Sequence, residues 1–576
     1  MKLLNKYKKL IIATGISLFL VAFLVIKNNT FIKNLVSIRL SNTLEEATSE
    51  PVIAQFSFHP ENENKLFSKF YHYRLKLSKS EGITFDQSKI NQWKNDTVPL
   101  MITVETWGTN AISSYKNNPM TDLVNGYFDD VIKQLCNNLI KDRPHIYFRF
   151  NPEVEVPYKL YPWQGYVYEY IKAFEYFAKL CKTYAPQSQI VWGPSGYPGV
   201  LEYYPGDAVV DVASIVLKSN SEINLNAYPN DYSTTYDLQR RLHRLRFLDK
   251  PIFVFGSKQT PSNLLDNQLV TEISNTIENE RHVIYASDNF KRPNPINKNN
   301  LEQKLKIGLY DPKNLLNDEK IISVEHLFAD FSNLNDGSFQ KKFNMVIARN
   351  HDVIVTFEPF PQPEKGTDLE VLQHITAGKY DEEINSFYNI ILNTKRNVYL
   401  RYAHEMEIPI TRYPWQSQDP IVYIKSFRYF MTFKAELPAT LKRVWGPAGD
   451  RGSIEWYPGN DVVDMISIAI YGLPDKNITD PNKQESFKTI FNRKYRRIRF
   501  IDKPLFITEF GVKGPEAYQS KWLEAAAKVL KENPQIIGVN YFNMSDTPKA
   551  WGNIKPPDWS ISKETLHLFY NTLNSD

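Results

Sequence analysis

Residues 147–164 read YFRFNPEVEVPYKLYPWQ and residues 399–416 read YLRYAHEMEIPITRYPWQ, with nine of 18 positions identical at a constant offset of 252. The similarity continues downstream, where VWGPSG is matched by VWGPAG, LEYYPGDAVVDVASI by IEWYPGNDVVDMISI, and RLRFLDKPIFV by RIRFIDKPLFI. An internal repeat of this length indicates one structural unit present twice. The chain of 576 residues therefore contains two copies of one unit.

Each copy alternates short apolar runs with longer amphipathic ones, as strands followed by helices do. In the second copy the strand candidates are KIGLY, VIVTFE, VYLRYAHE, RVWGP, MISIAIYG, LFITEFG and IGVNYFN. Repeated β-then-α predicts an α/β fold with a parallel sheet, and the size of each copy fits a (β/α)8 barrel. We therefore predict two tandem (β/α)8 TIM-type barrels, at 51–293 and 305–576, joined by a linker at 294–304.

The N-terminus carries an uncharged apolar run at 10–26, preceded by four lysines. A run of this length is at the short end of what crosses a bilayer, and the lysines favour a cytoplasmic N-terminus. We expect a transmembrane anchor or uncleaved signal, with a cytoplasmic stub at 1–9 and a polar linker at 27–50. A cleaved signal peptide is the alternative, although no Ala-x-Ala site follows the run. Both interpretations place the barrels outside the cytoplasmic membrane, in a periplasmic or extracellular space.

The composition excludes several classes of protein. A net charge of +5 is too weak for such a long chain to indicate nucleic-acid binding. Two cysteines cannot build a disulfide framework, and ten histidines in no ligand pattern do not indicate a metal site. We see no cofactor signal and no Gly-rich phosphate loop. Aromatic residues make up 14% of the chain, which suits sugar stacking and also suits plain core packing.

Polar side chains end several of the apolar runs in the second copy. VIVTF is followed by Glu358, VYLRY by His404 and Glu405, ISIAI by Tyr471, and LFIT by Glu509. In a (β/α)8 barrel the active site forms at the carboxyl ends of the strands, so these side chains are expected to converge. Two carboxylates that flank a substrate are the minimal machinery of glycoside hydrolysis. The alternative is that each glutamate is solvated or paired with a nearby arginine.

These residues carry a resemblance to a known family. RYAHEME and the later YPW in residues 401–415, together with ITEFG in residues 507–511, resemble glycoside hydrolase family 26, which comprises retaining glycosidases with (β/α)8 barrels. That family contains β-mannanases, mixed-linkage β-glucanases and β-1,3-xylanases. The resemblance implies that Glu405 is the general acid/base and Glu509 the nucleophile. It further implies a substrate-binding role for six residues: His404, Tyr471, Trp415, Glu358, Arg401 and Trp559.

The second copy departs from the family pattern at one position. The family has Asn after His-Glu-Met, whereas this chain has Glu407. The tryptophan-rich stretch typical of the mannanases is also missing, and the Tyr-Pro-Trp version is more similar to the glucanase branch. The departure weakens a mannan assignment.

The first copy retains only part of this set. Glu153 aligns with Glu405, but His404 is matched by Pro152 and Tyr471 by Lys218. The nucleophile is matched by Gly256 without a gap, or by Val254 with one deletion. Because a retaining mechanism needs both carboxylates, the first copy is predicted to be catalytically inactive. Its two possible roles are glycan binding and a plain spacer.

Two functions remain open. One is a membrane-tethered retaining endo-β-glycanase acting on mixed-linkage β-glucan, β-mannan or an exopolysaccharide, with no cofactor and no metal. The other is a non-catalytic glycan-binding or scaffold protein of polysaccharide export. The complete set in the second copy favours the enzyme.

Overall fold

Eight parallel strands in the second half of the chain close into a barrel, β9 to β16. The computed structural model describes residues 52–67, 69–77, 96–107, 118–140, 143–156, 161–217, 233–256, 265–285, 305–361, 370–409, 412–472, 485–546 and 555–575. The chain divides into two compact units, Met1–Asn279 and Glu280–Asp576. The predicted linker at 294–304 lies outside the described residues.

The barrel of the second unit follows the predicted strand order. Each strand pairs in parallel with the next, and β16 pairs with β9 to close the ring. The strands are β9 (Lys306–Tyr310), β10 (Val324–Ala329), β11 (Asp352–Phe357), β12 (Val398–Tyr402), β13 (Leu441–Trp445), β14 (Met465–Gly472), β15 (Leu505–Val512) and β16 (Ile536–Phe542). The helices are Phe331–Asn335, Ser338–Ala348, Val371–Thr376, Asp381–Ile391, Pro420–Met431, Phe487–Ile498, Glu516–Glu532 and Lys563–Asn574.

The interior of this barrel is packed with apolar side chains. Strands covered on both faces are expected to be apolar throughout, and every residue of β11, β12 and β15 is buried. The Phe506 ring fills the space beside Gly538, where an added Cβ would lie 2.7 Å from the ring. One interior cluster consists of Val324, Ile354, Tyr399, Val444, Met465 and Phe506. The packed interior leaves the strand ends as the place for polar chemistry.

The first unit does not form the predicted closed barrel. Its described residues give an eight-stranded sheet in the order β2-β1-β8-β7-β6-β5-β4-β3, which is not closed. Strands β3 to β8 are parallel, but β1 pairs antiparallel with both β2 and β8. The strands are β1 (Ile53–Phe56), β2 (Lys65–Phe67), β3 (Tyr71–Leu77), β4 (Leu100–Thr106), β5 (Ile146–Phe150), β6 (Gln189–Trp192), β7 (Val212–Leu217) and β8 (Ile252–Gly256).

The difference between the units arises after the seventh parallel position of the repeat. In the second unit β15 is followed by β16, which pairs with β9. In the described part of the first unit, β8 is followed by the helical segments Asn267–Asn279 and Arg281–Tyr285, and the hairpin strand β1 takes the edge of β8. The remaining helices of this unit are Met120–Val124, Asp129–Ile140, Val167–Tyr184 and Thr234–Arg244.

The predicted anchor at 10–26 lies outside the described residues. Of the helices that the structure does describe, none combines the length and the apolar character needed to cross a bilayer.

Candidate active site

The loop that carries Glu405 is fixed by backbone contacts. Glu405 comes three residues after β12 and adopts a φ of 54°, a left-handed conformation that costs energy for a residue with a side chain. Its N–H donates to the carbonyl of Gly446 at 2.8 Å, and its carbonyl accepts from the side-chain amide of Gln416 at 3.1 Å. The strained turn holds the carboxyl of Glu405 at the strand end.

The surroundings of Glu405 favour its protonated form. Burial of the carboxyl is the main cause and the negative charge of Glu509 is the second, and together they raise the pKa of Glu405 to about 7. A carboxyl of this kind can give a proton to a leaving group near neutral pH.

Glu509 lies within β15 with its two oxygens held by different donors. The guanidinium of Arg401 donates to Oε1, and the hydroxyl of Tyr471 donates to Oε2 at 3.0 Å. Arg401 is itself fixed, because it also donates to Oγ1 of Thr508 at 2.9 Å and to Oγ1 of Thr356 at 2.8 Å. Glu509 is therefore an oriented hydrogen-bond acceptor, as a nucleophilic carboxylate has to be.

Removing the Tyr471 hydroxyl tests this arrangement. We expect Tyr471→Phe to lower kcat about 10- to 100-fold with little change in KM, because one hydrogen bond to a charged group contributes about 1.5–3 kcal/mol. The measurement is steady-state hydrolysis of a polysaccharide found to be a substrate.

The control for this change is Tyr388→Phe. Tyr388 also loses one buried hydrogen bond, to the carbonyl of Phe430 at 2.7 Å, but it contacts no residue of the site. It is expected to lower stability and leave kcat unchanged. Equal losses of kcat in both variants would contradict the role of Tyr471.

Glu358 and His404 form a second polar pair beside the nucleophile. Burial, followed by the charge of Glu509, raises the pKa of Glu358 to about 8, while burial and Arg401 hold the pKa of His404 well below its usual value. Both groups are therefore neutral near pH 7. His404 Nδ1 lies 3.9 Å from Glu358 Oε1 and has no hydrogen-bond partner, so the contact is not an ion pair. Such a pair offers polar atoms to a ligand hydroxyl.

The two predicted tryptophans do not present faces to a ligand. Trp415 is completely buried and donates from its indole to the carbonyl of His404 at 2.7 Å. Trp559 is 2% exposed, and its ring lies 4.7 Å from that of Tyr471. The interpretation of Trp415 as a subsite wall is therefore corrected: both rings support residues of the site from behind. Tyr413, which is half-buried and stacks on Trp415 at 4.8 Å, is the aromatic side chain nearer the ligand side.

Glu407 is a structural residue. Its carboxylate is buried and accepts backbone N–H groups from Ala448 at 3.2 Å, Gly449 at 2.8 Å and Asp450 at 3.0 Å. The glutamate at this position therefore holds the loop after β13. The departure from the family pattern has a structural reason in this fold.

Truncating Glu407 is expected to destabilise the second unit. Glu407→Ala leaves three loop N–H groups without their acceptor, and we expect a loss of about 3 kcal/mol in the free energy of unfolding. Chemical denaturation monitored by tryptophan fluorescence measures it. Glu382→Ala, at an exposed position of the helix Asp381–Ile391, should change stability by less than about 0.5 kcal/mol.

Sequence reasoning missed the groups that hold the predicted ones. Thr356 and Thr508 orient Arg401, and each precedes a predicted glutamate by one or two residues. Tyr310, at the end of β9, is a further neighbour, since burial and the charges of Glu358 and Glu509 raise its pKa to about 12. The rule of polar strand ends covers all three. Among the described residues, no group of three histidine, cysteine or acidic side chains could hold a metal ion.

The first unit repeats the scaffold of this site without its nucleophile. Glu153 has a φ of 59° and donates its N–H to Gly193 at 2.7 Å, as Glu405 does to Gly446. Val216, the counterpart of Ala469, lies opposite Phe255, whereas Ala469 lies opposite Glu509. The register therefore places Phe255 at the nucleophile position, instead of Gly256 or Val254 as the alignment suggested.

Known proteins similar to this chain act on β-glycans. It is 25% identical over 215 residues to a β-1,3-xylanase from a Vibrio species, covering 31% of this chain and 42% of the relative. It is 24% identical over 270 residues to endoglucanase H from Acetivibrio thermocellus, covering 44% of this chain and 28% of the relative. A solved β-(1,4)-mannanase of Podospora anserina has a TM-score of 0.30 at 14% identity, covering 47% of this chain and 61% of that one.

These similarities have limited extent. No family model matches the chain. The chain spans less than half the length of these two curated relatives. The similarity is thus to glycoside hydrolases of β-glycans in general.

Proposed function

We propose that the second unit is a retaining endo-β-glycanase with Glu405 as general acid/base and Glu509 as nucleophile. The observation that supports this most strongly is the contrast between the two carboxyls. Glu405 has a pKa raised to about 7, whereas Glu509 accepts hydrogen bonds from Arg401 and Tyr471. Environments that separate two neighbouring carboxyls in this way assign one to proton donation and the other to attack.

The proposed reaction has two steps. In the first, Glu405 protonates the glycosidic oxygen while Glu509 attacks the anomeric carbon, which breaks the glycosidic bond and forms a glycosyl ester on Glu509. In the second, Glu405 takes a proton from water as the water oxygen attacks the anomeric carbon and releases Glu509. Arg401 and Tyr471 hold the oxygens of Glu509 throughout, and Glu358 and His404 are placed to contact sugar hydroxyls.

The substrate is proposed to be a β-linked polysaccharide. The relatives are named for β-1,3-xylan and for endoglucanase activity, which adds β-1,3-xylan to mixed-linkage β-glucan, β-mannan and exopolysaccharide as candidates. The first unit is proposed to be inactive, because the register places Phe255 where Glu509 stands in the second. We further propose that residues 10–26 tether the protein to the cytoplasmic membrane, with both units outside.

The test is reducing-sugar release from these polymers by the full-length protein, with the anomeric form of the new end followed by NMR. Initial release of the β-anomer from a β-linked chain supports the retaining mechanism. Initial release of the α-anomer would mean inversion and would remove the nucleophile role of Glu509. No release from any polymer, with binding retained, would favour a non-catalytic glycan-binding scaffold.

A further inference from the structure

The balance of charge at the strand ends is reversed between the two units. In the second unit the carboxyls of Glu358, Glu405 and Glu509 all interact with one buried cation, Arg401. In the first unit the described side chains of β3 and β5 include three cations near the same end of the sheet. Together with one tryptophan they form the basic cluster, defined as Arg74, Lys76, Trp107 and Arg149.

Arg74 neutralises a carboxylate that stands alone in the second unit. His72 and His326 mark equivalent positions, since they bond Thr103 Oγ1 at 2.8 Å and Thr356 Oγ1 at 2.7 Å. By that alignment Arg74 replaces Phe328. It donates from Nε to Oε1 of Glu105 at 3.0 Å, and it is 27% exposed.

Lys76 and Trp107 form a cationic aromatic surface at the same end. Lys76 is opposite Glu105 in the register of β3 and β4 and is exposed. Its ammonium lies 4.7 Å from the centre of the Trp107 ring, and the Trp107 indole donates to Oε2 of Glu105 at 3.1 Å. With both oxygens of Glu105 occupied, the exposed charge at this surface is that of Lys76.

Arg149 adds a buried positive charge beneath the surface. It is 5% exposed, and its Nη1 has no hydrogen-bond partner. Its counterpart Arg401 uses the same end of its guanidinium to bind Thr508 and Glu509, whereas Arg149 lies 4.9 Å from the centre of the Phe255 ring. Loss of the carboxylate with retention of the arginine leaves the cluster short of negative charge.

We propose that the basic cluster of the first unit binds an acidic saccharide, with Lys76 and Arg74 as cations for the ligand's acidic group and Trp107 as the platform for a sugar ring. Uronate carboxylates and sulfate esters share this chemistry, and charge-assisted hydrogen bonds with ring stacking are the interactions that suit them. The inference depends on the first unit alone and does not require hydrolysis by the second.

The test is affinity electrophoresis of the full-length protein carrying Glu509→Gln, which stops the proposed hydrolysis. Polygalacturonate and alginate represent uronates, a sulfated galactan represents sulfate esters, and mixed-linkage glucan is the neutral reference. Lys76→Glu and Trp107→Ala are each expected to weaken binding of acidic polymer at least tenfold, and neutral-polymer binding should not change. Binding should also fall at high salt.

The matched control is Lys133→Glu. Lys133 is also exposed and lies over an aromatic ring, 5.3 Å from the centre of Tyr184, on the helix Asp129–Ile140. It makes the same charge change in the same unit and should leave binding intact. The proposal is overturned if acidic polymers do not bind the Glu509→Gln protein, or if Lys133→Glu weakens binding as much as Lys76→Glu. Equal binding of single-stranded DNA in competition with the acidic polymers would also overturn it, as a general polyanion effect.

Discussion

Glu509→Ala is expected to lower kcat on the polysaccharide substrate by at least about 10⁴-fold, because loss of the nucleophile removes the glycosyl-enzyme route. Glu509 is 7% exposed and held by Arg401 and Tyr471, so alanine leaves a small space at the point of attack. Azide can enter that space and attack an aryl glycoside with a good leaving group. The expected product is a glycosyl azide of inverted configuration, which NMR identifies.

The control is Glu532→Ala, an exposed glutamate at the end of the helix Glu516–Glu532. It should retain full activity, and thermal unfolding should show that both variants are folded. Hydrolysis by Glu509→Ala at a rate close to that of the unmodified protein would exclude Glu509 as nucleophile. A product of retained configuration with azide would point to loss of an acid/base instead.

The barrel of the second unit was predictable because its strands are locally encoded. VYLRY and LFITEFGV are continuous apolar runs, and such runs between helices leave few alternatives to a parallel sheet. Closure of the first unit was predicted wrongly because closure is not local. It depends on whether the strand after β8 exists, and in the described residues β1 pairs antiparallel with β8 instead. The repeat carries no information on that pairing.

The candidate site was predictable to the extent that backbone direction alone places its residues. Glu358, Glu405 and Glu509 follow or end parallel strands, so they meet at one end of the barrel whatever their side chains do. Trp415 shows the limit, because a tryptophan near a site has the same sequence signature whether its ring is exposed or buried. The role of Glu407 depends on a loop 41 to 43 residues away, which no local pattern reports.

The pH dependence of the second unit is expected to depend on Glu405. Its pKa is raised to about 7, so the carboxyl remains protonated below that pH and loses its proton above it. Since the first step needs the proton, kcat/KM should fall about tenfold per pH unit above pH 7. In Glu405→Gln the fall should disappear on an aryl glycoside whose leaving group needs no protonation, while polysaccharide hydrolysis drops by about 10³-fold or more.

Glu358 is the group that could be mistaken for Glu405, since its pKa of about 8 also lies in this range. Glu358→Gln keeps a neutral side chain of similar size and should therefore leave the alkaline fall in place near pH 7. Glu153→Gln changes the counterpart of Glu405 in the first unit and should alter neither rate nor profile, because Phe255 occupies the nucleophile position there. If the fall persists in Glu405→Gln but disappears in Glu358→Gln, then Glu358 is the proton donor and Glu405 serves to position the substrate.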